Sequence, residues 1–413
     1  MHLLKILVLL IPLNFLFTGV TNTLSEDPAA RSMEIHRQIL TLDSHTDTPL
    51  MLGREGFDIG KKNDPAHRGG QVDFPRMQEG GLDAAFFAVF VGQGERTPEG
   101  YETAKQRALH IFDLIHKAVD DYPDLAGLAL TADDAGRLKD EGRLAIYIGL
   151  ENGYPAAQDL SLIKKYYDLG ARYITLAHSR NNDICDSSTD PQGAEHGGLS
   201  EFGRDVVRKM NELGMMIDVS HISDEAFYDV IEISVAPVIA SHSNSRSICN
   251  HPRNLDDDML LALKENGGVI QVCILSAYVK TPEPNPERDA AIQEVRDRFN
   301  NFIGLTDAEL DEAREAWFEA NEKHPPKLAT VADLVDHIDY ISDLIGTDHV
   351  GIGTDFDGGG SLADCRDVTE VGNITLELFN RGYTKEDIEK IWSGNFMRVF
   401  SEVEAAKNYS GKR

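Results

Sequence analysis

The sequence predicts a single (β/α)8 barrel carrying a helical insertion after its seventh strand. Three observations carry that reading. Eight short runs of apolar and β-branched residues recur along the 413 residues, each set apart by turn and helix signals. Amphipathic stretches lie between many of them, and strands alternating with helices imply parallel pairing through right-handed crossovers. Ionisable side chains gather where the runs end, on the rim where barrels of this kind carry their chemistry. Eight units suggest closure more than an open sheet.

The expected strands are residues 39–43, 84–91, 144–150, 172–177, 215–220, 237–241, 268–275 and 350–354. Segments 102–120, 161–169, 201–213, 224–233 and 256–265 read as helices. Gly170, Gly214 and Gly267 mark the ends of three of them. Two segments break the rhythm. Residues 52–80 form a Gly- and charge-rich loop after the first strand. Residues 276–329 are framed by Pro282, Pro284, Pro286, Pro325 and Pro326 around a charged helical stretch at 288–323. An insertion at that point is expected over the barrel mouth, as a lid or a subunit contact.

Hydrophobic residues make up 41% of the chain, enough for a sizeable core and too many for wholesale disorder. The 69 Asp and Glu outnumber the 40 Lys and Arg, giving a formal charge of −29 that repels phosphates. Nucleic acid is therefore excluded as an expected partner, and anionic membrane with it. Residues 1–23 read as a signal peptide: Lys5, an apolar run broken by Pro12 and Asn14, then small residues at Gly19, Thr21 and Thr23. Residues 24–413 are then one domain, expected to be secreted or periplasmic. No second run of spanning length follows, so no stable membrane anchor is expected. Cys185, Cys249, Cys273 and Cys365 form no C-x-x-C pair, which argues against a thiolate metal site. Cys185 and Cys365 each follow an expected strand, leaving a bridge between those loops open.

Six of the eight strands finish in His, Asp or Glu. The ends read Asp43-Ser-His45-Thr-Asp47, Glu151-Asn-Gly, His178, His221, His242 and Asp355-Phe-Asp357. His45 and Asp47, two apart, point the same way on an extended backbone. Glu151, His221 and His242 join them from three other strands, making three imidazoles and two carboxylates. One ion takes about three or four protein ligands, so five suggest two ions sharing a carboxylate bridge. Glu151, alone on its strand end, is the expected bridge, with His45 and Asp47 on one ion and His221 and His242 on the other. Two divalent ions less Asp47, Glu151 and a bridging hydroxide leave a net positive site. Such ions lower the pKa of bound water from ~15.7 towards ~7, so hydrolysis is the chemistry indicated.

Asp355 is either a further ligand or the base that moves the proton, and the base is the preferred reading. Asp357 is expected to orient its neighbours. His178 is read as a donor to the developing oxyanion, because five ligands already suffice. Arg253, in Asn250-His-Pro-Arg-Asn, offers a fork for a substrate carboxylate or a salt bridge to Asp256, Asp257 or Asp258.

The set His45-Thr-Asp47-Thr-Pro, Gly149-Leu-Glu151-Asn-Gly, Leu176-Ala-His178, Asp218-Val-Ser-His221, Ala240-Ser-His242-Ser, His251-Pro-Arg253-Asn and Gly353-Thr-Asp355-Phe-Asp357-Gly resembles the membrane (renal) dipeptidase family. Those are zinc metallopeptidases of the amidohydrolase type. The resemblance runs from about residue 38 to residue 398, and it implies a dipeptidase with two Zn2+ per chain bridged by Glu151. It implies the same division of His45 and Asp47 from His221 and His242. It places His178 on the scissile amide oxygen, Arg253 on the substrate carboxylate and Asp355 at the proton. It also implies a homodimer and, in some members, acceptance of a C-terminal D-residue. The chain departs from the mammalian members in lacking a hydrophobic C-terminal tail, and in carrying Arg180-Asn-Asn where they have a Cys. In this it looks more like a bacterial secreted or periplasmic member. The alternatives are another metal hydrolase acting on a lactam, N-acyl amino acid or cyclic amide, and a non-catalytic scaffold, which has no need of this residue set.

Overall fold

The computed structural model describes residues 27–64, 70–302 and 305–407, so the signal-peptide reading of residues 1–23 lies outside the described residues. Nine strands form one parallel sheet: β1 Leu42–Thr46, β2 Ala84–Phe90, β3 Ala126–Leu128, β4 Leu144–Glu151, β5 Ala171–Thr175, β6 Met216–Asp218, β7 Ile239–Ala240, β8 Val269–Val272 and β9 Val350–Ile352. Eight of them run β1-β2-β4-β5-β6-β7-β8-β9, each hydrogen-bonded to the next, with helices between them. The circle is drawn together by a parallel bridge between Thr46 and Phe356. There the Asp47 N–H donates to the Phe356 carbonyl (2.7 Å) and the Asp355 N–H to that of His45 (2.9 Å). The predicted (β/α)8 barrel is the architecture found.

The ninth strand, β3, has no counterpart among the predicted runs. It is three residues long and pairs with Leu144–Ile146 of β4, while β5 pairs with β4 from Ile148 onward. Because β2 holds β4 along its other edge, β3 occupies the part of the edge that β5 leaves open. An Ala-Gly-Leu segment has too little β-branched character to announce itself. The first strand also begins three residues later than predicted, because its sequence Leu-Asp-Ser-His-Thr is polar where an apolar run was sought. Helices fall close to expectation, and their caps explain why. Ser200, Ser223 and Asp256 each accept a backbone N–H in the first turn of the next helix. Gly214 and Gly267 adopt the left-handed conformation that ends two of those helices.

Inside the barrel, Leu42, Ala84, Phe86, Ala145, Tyr147, Tyr173 and Met216 form a buried cluster with Phe396 and Phe400 of the C-terminal helix Asn395–Ala405. Phe86 stacks on Tyr147 (4.7 Å) and meets Phe396 edge-on (5.2 Å). A separate, larger core lies between the sheet and the surrounding helices. The insertion holds helices Ser276–Val279, Pro286–Arg298 and Asp307–Lys323, and has an apolar cluster of its own around Ile292, Val295, Phe299 and Ala313. Its root packs beside the rim, where the Tyr278 ring lies 4.5 Å from that of His251 and 5.4 Å from the Arg253 guanidinium. All four cysteines are free and buried, so the bridge left open between Cys185 and Cys365 is not formed. Cys185 instead pairs through its backbone with Leu199, and Cys365 with Leu362. Among the described residues no helix is long and apolar enough to cross a membrane.

At the opposite end from the rim, His36 fastens the first helix, Pro28–Gln38, to the body. Its Nε2 faces the Gly80 carbonyl (3.0 Å) and must donate, so Nδ1 accepts from the Thr375 hydroxyl (2.7 Å). The Thr375 oxygen in turn accepts from Trp392 Nε1 (2.7 Å). Burial holds the imidazole pKa below its ordinary 6.5, against the opposing pull of the Gly80 carbonyl and Asp83. Since the folded pKa is depressed, the unfolded chain takes the proton first. The His36 contribution to stability is whole above pH 6.5 and is lost as pH falls through the folded value. Urea unfolding of wild type and His36→Gln between pH 7 and 5 is expected to show a steeper loss in wild type; parallel curves would remove His36 from the acid sensitivity.

Candidate metal centre

Glu151 is the last residue of β4, and its carboxylate looks two ways. Oε2 lies 3.6 Å from His45 Nε2, whereas Oε1 lies 3.2 Å from His221 Nε2, 3.6 Å from His242 Nε2 and 3.7 Å from His178 Nε2. His221 and His242 bring their Nε2 atoms to 2.8 Å of each other. Three overlapping groups offer ligand atoms within 4.8 Å of one another: His45, Glu151 and His242; Glu151, His178 and His221; His45, Asp47 and Asp355. The structure therefore gathers all the predicted ligands and both predicted catalytic residues into one cluster. His45 Nε2, Asp47 Oδ1 and Glu151 Oε2 are buried without a hydrogen-bond partner among the described residues. Buried polar atoms are normally satisfied, and a convergent N and O set left open in this way fits a divalent cation.

Two of the imidazoles have Nδ1 committed to a partner, so that Nε2 is the nitrogen turned towards Glu151. Tyr173 Oη donates to the Ser44 carbonyl (3.2 Å), so it accepts from His45 Nδ1–H (2.8 Å) and leaves Nε2 to face the Glu151 carboxylate. Gly149 makes room for the Tyr173 ring, since a Cβ there would stand 2.1 Å from it. Ser241 Oγ donates to Asp218 (2.6 Å) and accepts from His242 Nδ1–H (2.8 Å), with the same result. The convergence of His45 and Asp47 has a different origin from the one expected. The β1–β2 register shifts between Asp43 and Thr46, and Asp47 already lies outside the strand, before a 3-10 turn.

Backbone strain is concentrated here. Asn152, His221, Asp355 and Asp357 all have positive φ, between 62° and 75°. Non-glycine residues hold this conformation only where their surroundings impose it. Asp357 shows what imposes it at the end of β9: its carboxylate accepts from the Thr48 hydroxyl (3.0 Å) and the Gln71 N–H (2.7 Å), and its own N–H donates to Gln71 Oε1 (2.7 Å). A Cβ at the next residue, Gly358, would stand 2.0 Å from Asp47 Oδ2 and 2.3 Å from Asp355 Oδ1, so only glycine fits.

Two buried carboxylates beneath the rim had no role in the sequence reading. Asp218 accepts from Thr175 Oγ1 (2.5 Å), Ser220 N (3.0 Å), Ser241 N (2.8 Å) and Ser241 Oγ, joining the ends of β5, β6 and β7. Asp43 accepts from Thr354 N (2.8 Å), Thr354 Oγ1 (2.5 Å) and His45 N (3.1 Å), joining β1 to the end of β9. Their only signal in the sequence was position, two and three residues before His45 and His221.

The charges are strongly mutual. Burial raises the Asp355 carboxyl to about 7, with His45 opposing and Glu151 assisting. Burial would lower His45, but Glu151, Asp47 and Asp355 push it up to about 10. Burial also raises Asp47 well above the carboxylate range and holds His221 and His242 well below the ordinary imidazole value. Glu151 goes the other way: against burial, His45, His178 and His221 hold it ionised. Arg253 makes no salt bridge to the three aspartates that follow it. Asp256 caps a helix, and Asp257 accepts from Ser247 and Tyr340. Arg253 donates to the His242 carbonyl (3.0 Å) and Ser243 Oγ (3.4 Å), and its buried Nε has no partner among the described residues.

A profile of the membrane dipeptidase family, peptidase family M19, matches residues 29–413. The chain belongs to this family. It is thereby a metallopeptidase, as the resemblance of its motifs implied. The dipeptidase tcpJ of Claviceps purpurea is 31% identical over 88% of this chain and 76% of its own length. Dipeptidase 3 of Homo sapiens is 30% identical over 95% of this chain and 70% of its own. The crystal structure of the probable dipeptidase PvdM from Pseudomonas aeruginosa superposes with a TM-score of 0.80 at 32% identity, covering 92% of this chain and 99% of that one.

Removing the Asp218 carboxylate leaves several buried donors of this metallopeptidase unpaired, each costing about 1–3 kcal/mol. Asp218→Ala is expected to lose about 3–5 kcal/mol in chemical denaturation, whereas a loss below about 1 kcal/mol would show that the strand ends hold without it.

Proposed function

We propose that the protein is a binuclear, zinc-dependent dipeptidase. One observation carries the proposal: Glu151 turns one oxygen to His45 and the other to His221 and His242. A carboxylate with a separate set of imidazoles at each oxygen suits two ions better than one, and a buried set of imidazole and carboxylate ligands suits zinc. His45 and Asp47 would hold one ion, His221 and His242 the other, with Glu151 between them. Ions bound there would supply polarisation of the scissile carbonyl and a lowered pKa for a bound water.

The remaining steps belong to the chain. Arg253 takes the dipeptide carboxylate; its contacts to the His242 carbonyl and Ser243 fix the guanidinium in advance, and its open Nε is the donor left for a ligand. His178 is a quarter exposed, packed edge-on against Phe90, with Nδ1 at 3.0 Å from Ser179 Oγ. With Nδ1 accepting from that hydroxyl, Nε2–H is free to donate to the carbonyl oxygen as negative charge develops on it. Asp355 accepts the proton of the attacking water and returns it to the leaving nitrogen, from a position fixed by its N–H bond to the His45 carbonyl. Export and a homodimer belong to the same proposal, on the apolar segment near the N-terminus and the family resemblance.

Elemental analysis of the purified protein, paired with amino-acid release from L,L and L,D dipeptides, tests the reading. Two ions per chain with chelator-sensitive cleavage are expected. Two ions without dipeptide cleavage would redirect the search to lactams and N-acyl amino acids, and no ion after reconstitution would overturn the centre. Asp355→Asn is expected to keep both ions while kcat falls about 10²–10⁴-fold; loss of an ion would make Asp355 a ligand. Arg253→Ala is expected to raise KM for dipeptides about ten- to hundredfold, and an unchanged KM would leave Arg253 only its structural contacts.

A further inference from the structure

The loop that follows β5 folds over the rim beside His178 and is pinned from within. Asp186 accepts from the N–H groups of Glu195 (2.8 Å), His196 (3.0 Å) and Gly198 (3.0 Å), and the Asn181 side chain accepts from Ser187 N (2.8 Å). Between this loop and residues 93–96, which follow β2, lies a recess of about 560 Å³. Two of its lining residues lie close, by contact or along the chain, to neighbours of the metal centre. Gln93 Oε1 faces the amide of Asn152 (3.4 Å), the residue after Glu151, and Arg180 lies two residues beyond His178.

The residues lining the recess carry mostly polar side chains, though their carbon stems and the backbone leave a comparable share of the wall apolar. Gln93, Arg96, Arg180, Asp190, Gln192 and Glu195 line it, and Ala194 is the one aliphatic side chain on the wall among the described residues. The two arginines differ. Arg96 is engaged by both oxygens of Glu195, at 2.7 and 2.8 Å. Arg180 faces Asp190 at 3.8 Å, while that carboxylate takes the N–H groups of Asn181 (2.8 Å) and Gln192 (2.9 Å). Asp190 and Glu195 are thus engaged, the Gln93 amide donates to the Gly94 carbonyl (3.1 Å), and Arg180 and Gln192 supply the remaining donors.

The strand order fixes which part of a substrate would enter. β2 and β5 flank β4, whereas Arg253 follows β7 and Tyr278 follows β8, across the barrel. A dipeptide with its carboxylate at Arg253 and its carbonyl at His178 extends its N-terminal residue towards the recess. We propose that the recess is the side-chain subsite for that N-terminal residue and selects acidic and amide side chains. The proposal rests on the dipeptidase reading above. A glutamate or glutamine offers acceptors to Arg180 and Gln192, a lysine meets a like charge at Arg180, and a leucine or phenylalanine leaves those donors without a partner.

The test is kcat/KM for X-Gly dipeptides, with X as Glu, Gln, Leu, Phe or Lys, on the metal-loaded enzyme and on Arg180→Ala and Arg180→Lys. In wild type, Glu and Gln are expected to exceed Leu about tenfold. Arg180→Ala is expected to cut the Glu-over-Leu ratio about tenfold, mainly through KM, and Arg180→Lys to retain part of it. A wild-type preference for Leu or Phe overturns the subsite, as does a ratio that Arg180→Ala leaves unchanged. Cleavage of none of the dipeptides by the loaded wild type overturns the dipeptidase reading, and the subsite with it. Where Arg180→Ala fails to fold, Arg180→Lys and Gln192→Leu carry the same comparison.

Discussion

The structure turns on keeping one ionised carboxylate, Glu151, in a buried mouth among four imidazoles. Burial alone would neutralise it, and the surrounding rings reverse that. The arrangement stands only while each ring presents the correct nitrogen. That requirement passes to Tyr173 for His45 and to Ser241 for His242, and from Ser241 to Asp218. Thus a demand made at one oxygen atom reaches the interior of the barrel within two hydrogen bonds.

Two strands that carry ligands to this rim are very short. β6 has three residues and β7 two, too few for a ladder to hold their ends in register. Side chains take over where the ladder stops. Asp218 gathers four donors from three strand ends, and Asp43 does the same across β1 and β9. Buried carboxylates fully supplied with donors can define geometry more sharply than a frayed strand end, because a displaced donor would be left unsatisfied in a low dielectric. The positive-φ residues at His221 and Asp355 follow each of these anchors by three residues or join the strand it fastens.

Much of this was legible from the sequence because barrel strands end in chemistry. His45, Asp47, Glu151, His178, His221, His242 and Asp355 all stand where a β-branched run stops, and the structure draws them into one cluster. What escaped notice had no periodicity to betray it. β3 is too short and too bland, and the polar first strand was placed three residues early. The reason for the His45–Asp47 convergence was misjudged, since a register shift and a 3-10 turn do what an extended strand was expected to do. Asp43, Asp218 and Tyr173 look like ordinary strand residues until the fold shows what lies opposite them. The cysteines suggested a covalent link, yet each is enclosed within its own loop or strand end.

The seam of the barrel and the metal centre are the same place. The bridge from Thr46 to Phe356 that joins the first strand to the end of the last is flanked by His45, Asp47 and Asp355. A nascent chain therefore carries its first ligands from the start of the domain but has nothing to close them against until the final strand is made. The group that includes Asp355 can be assembled only once the last strand is in place, whereas the groups around Glu151 draw on residues made earlier. Asp355, to which the proposal assigns the proton steps, is thus the last member of the cluster to be made.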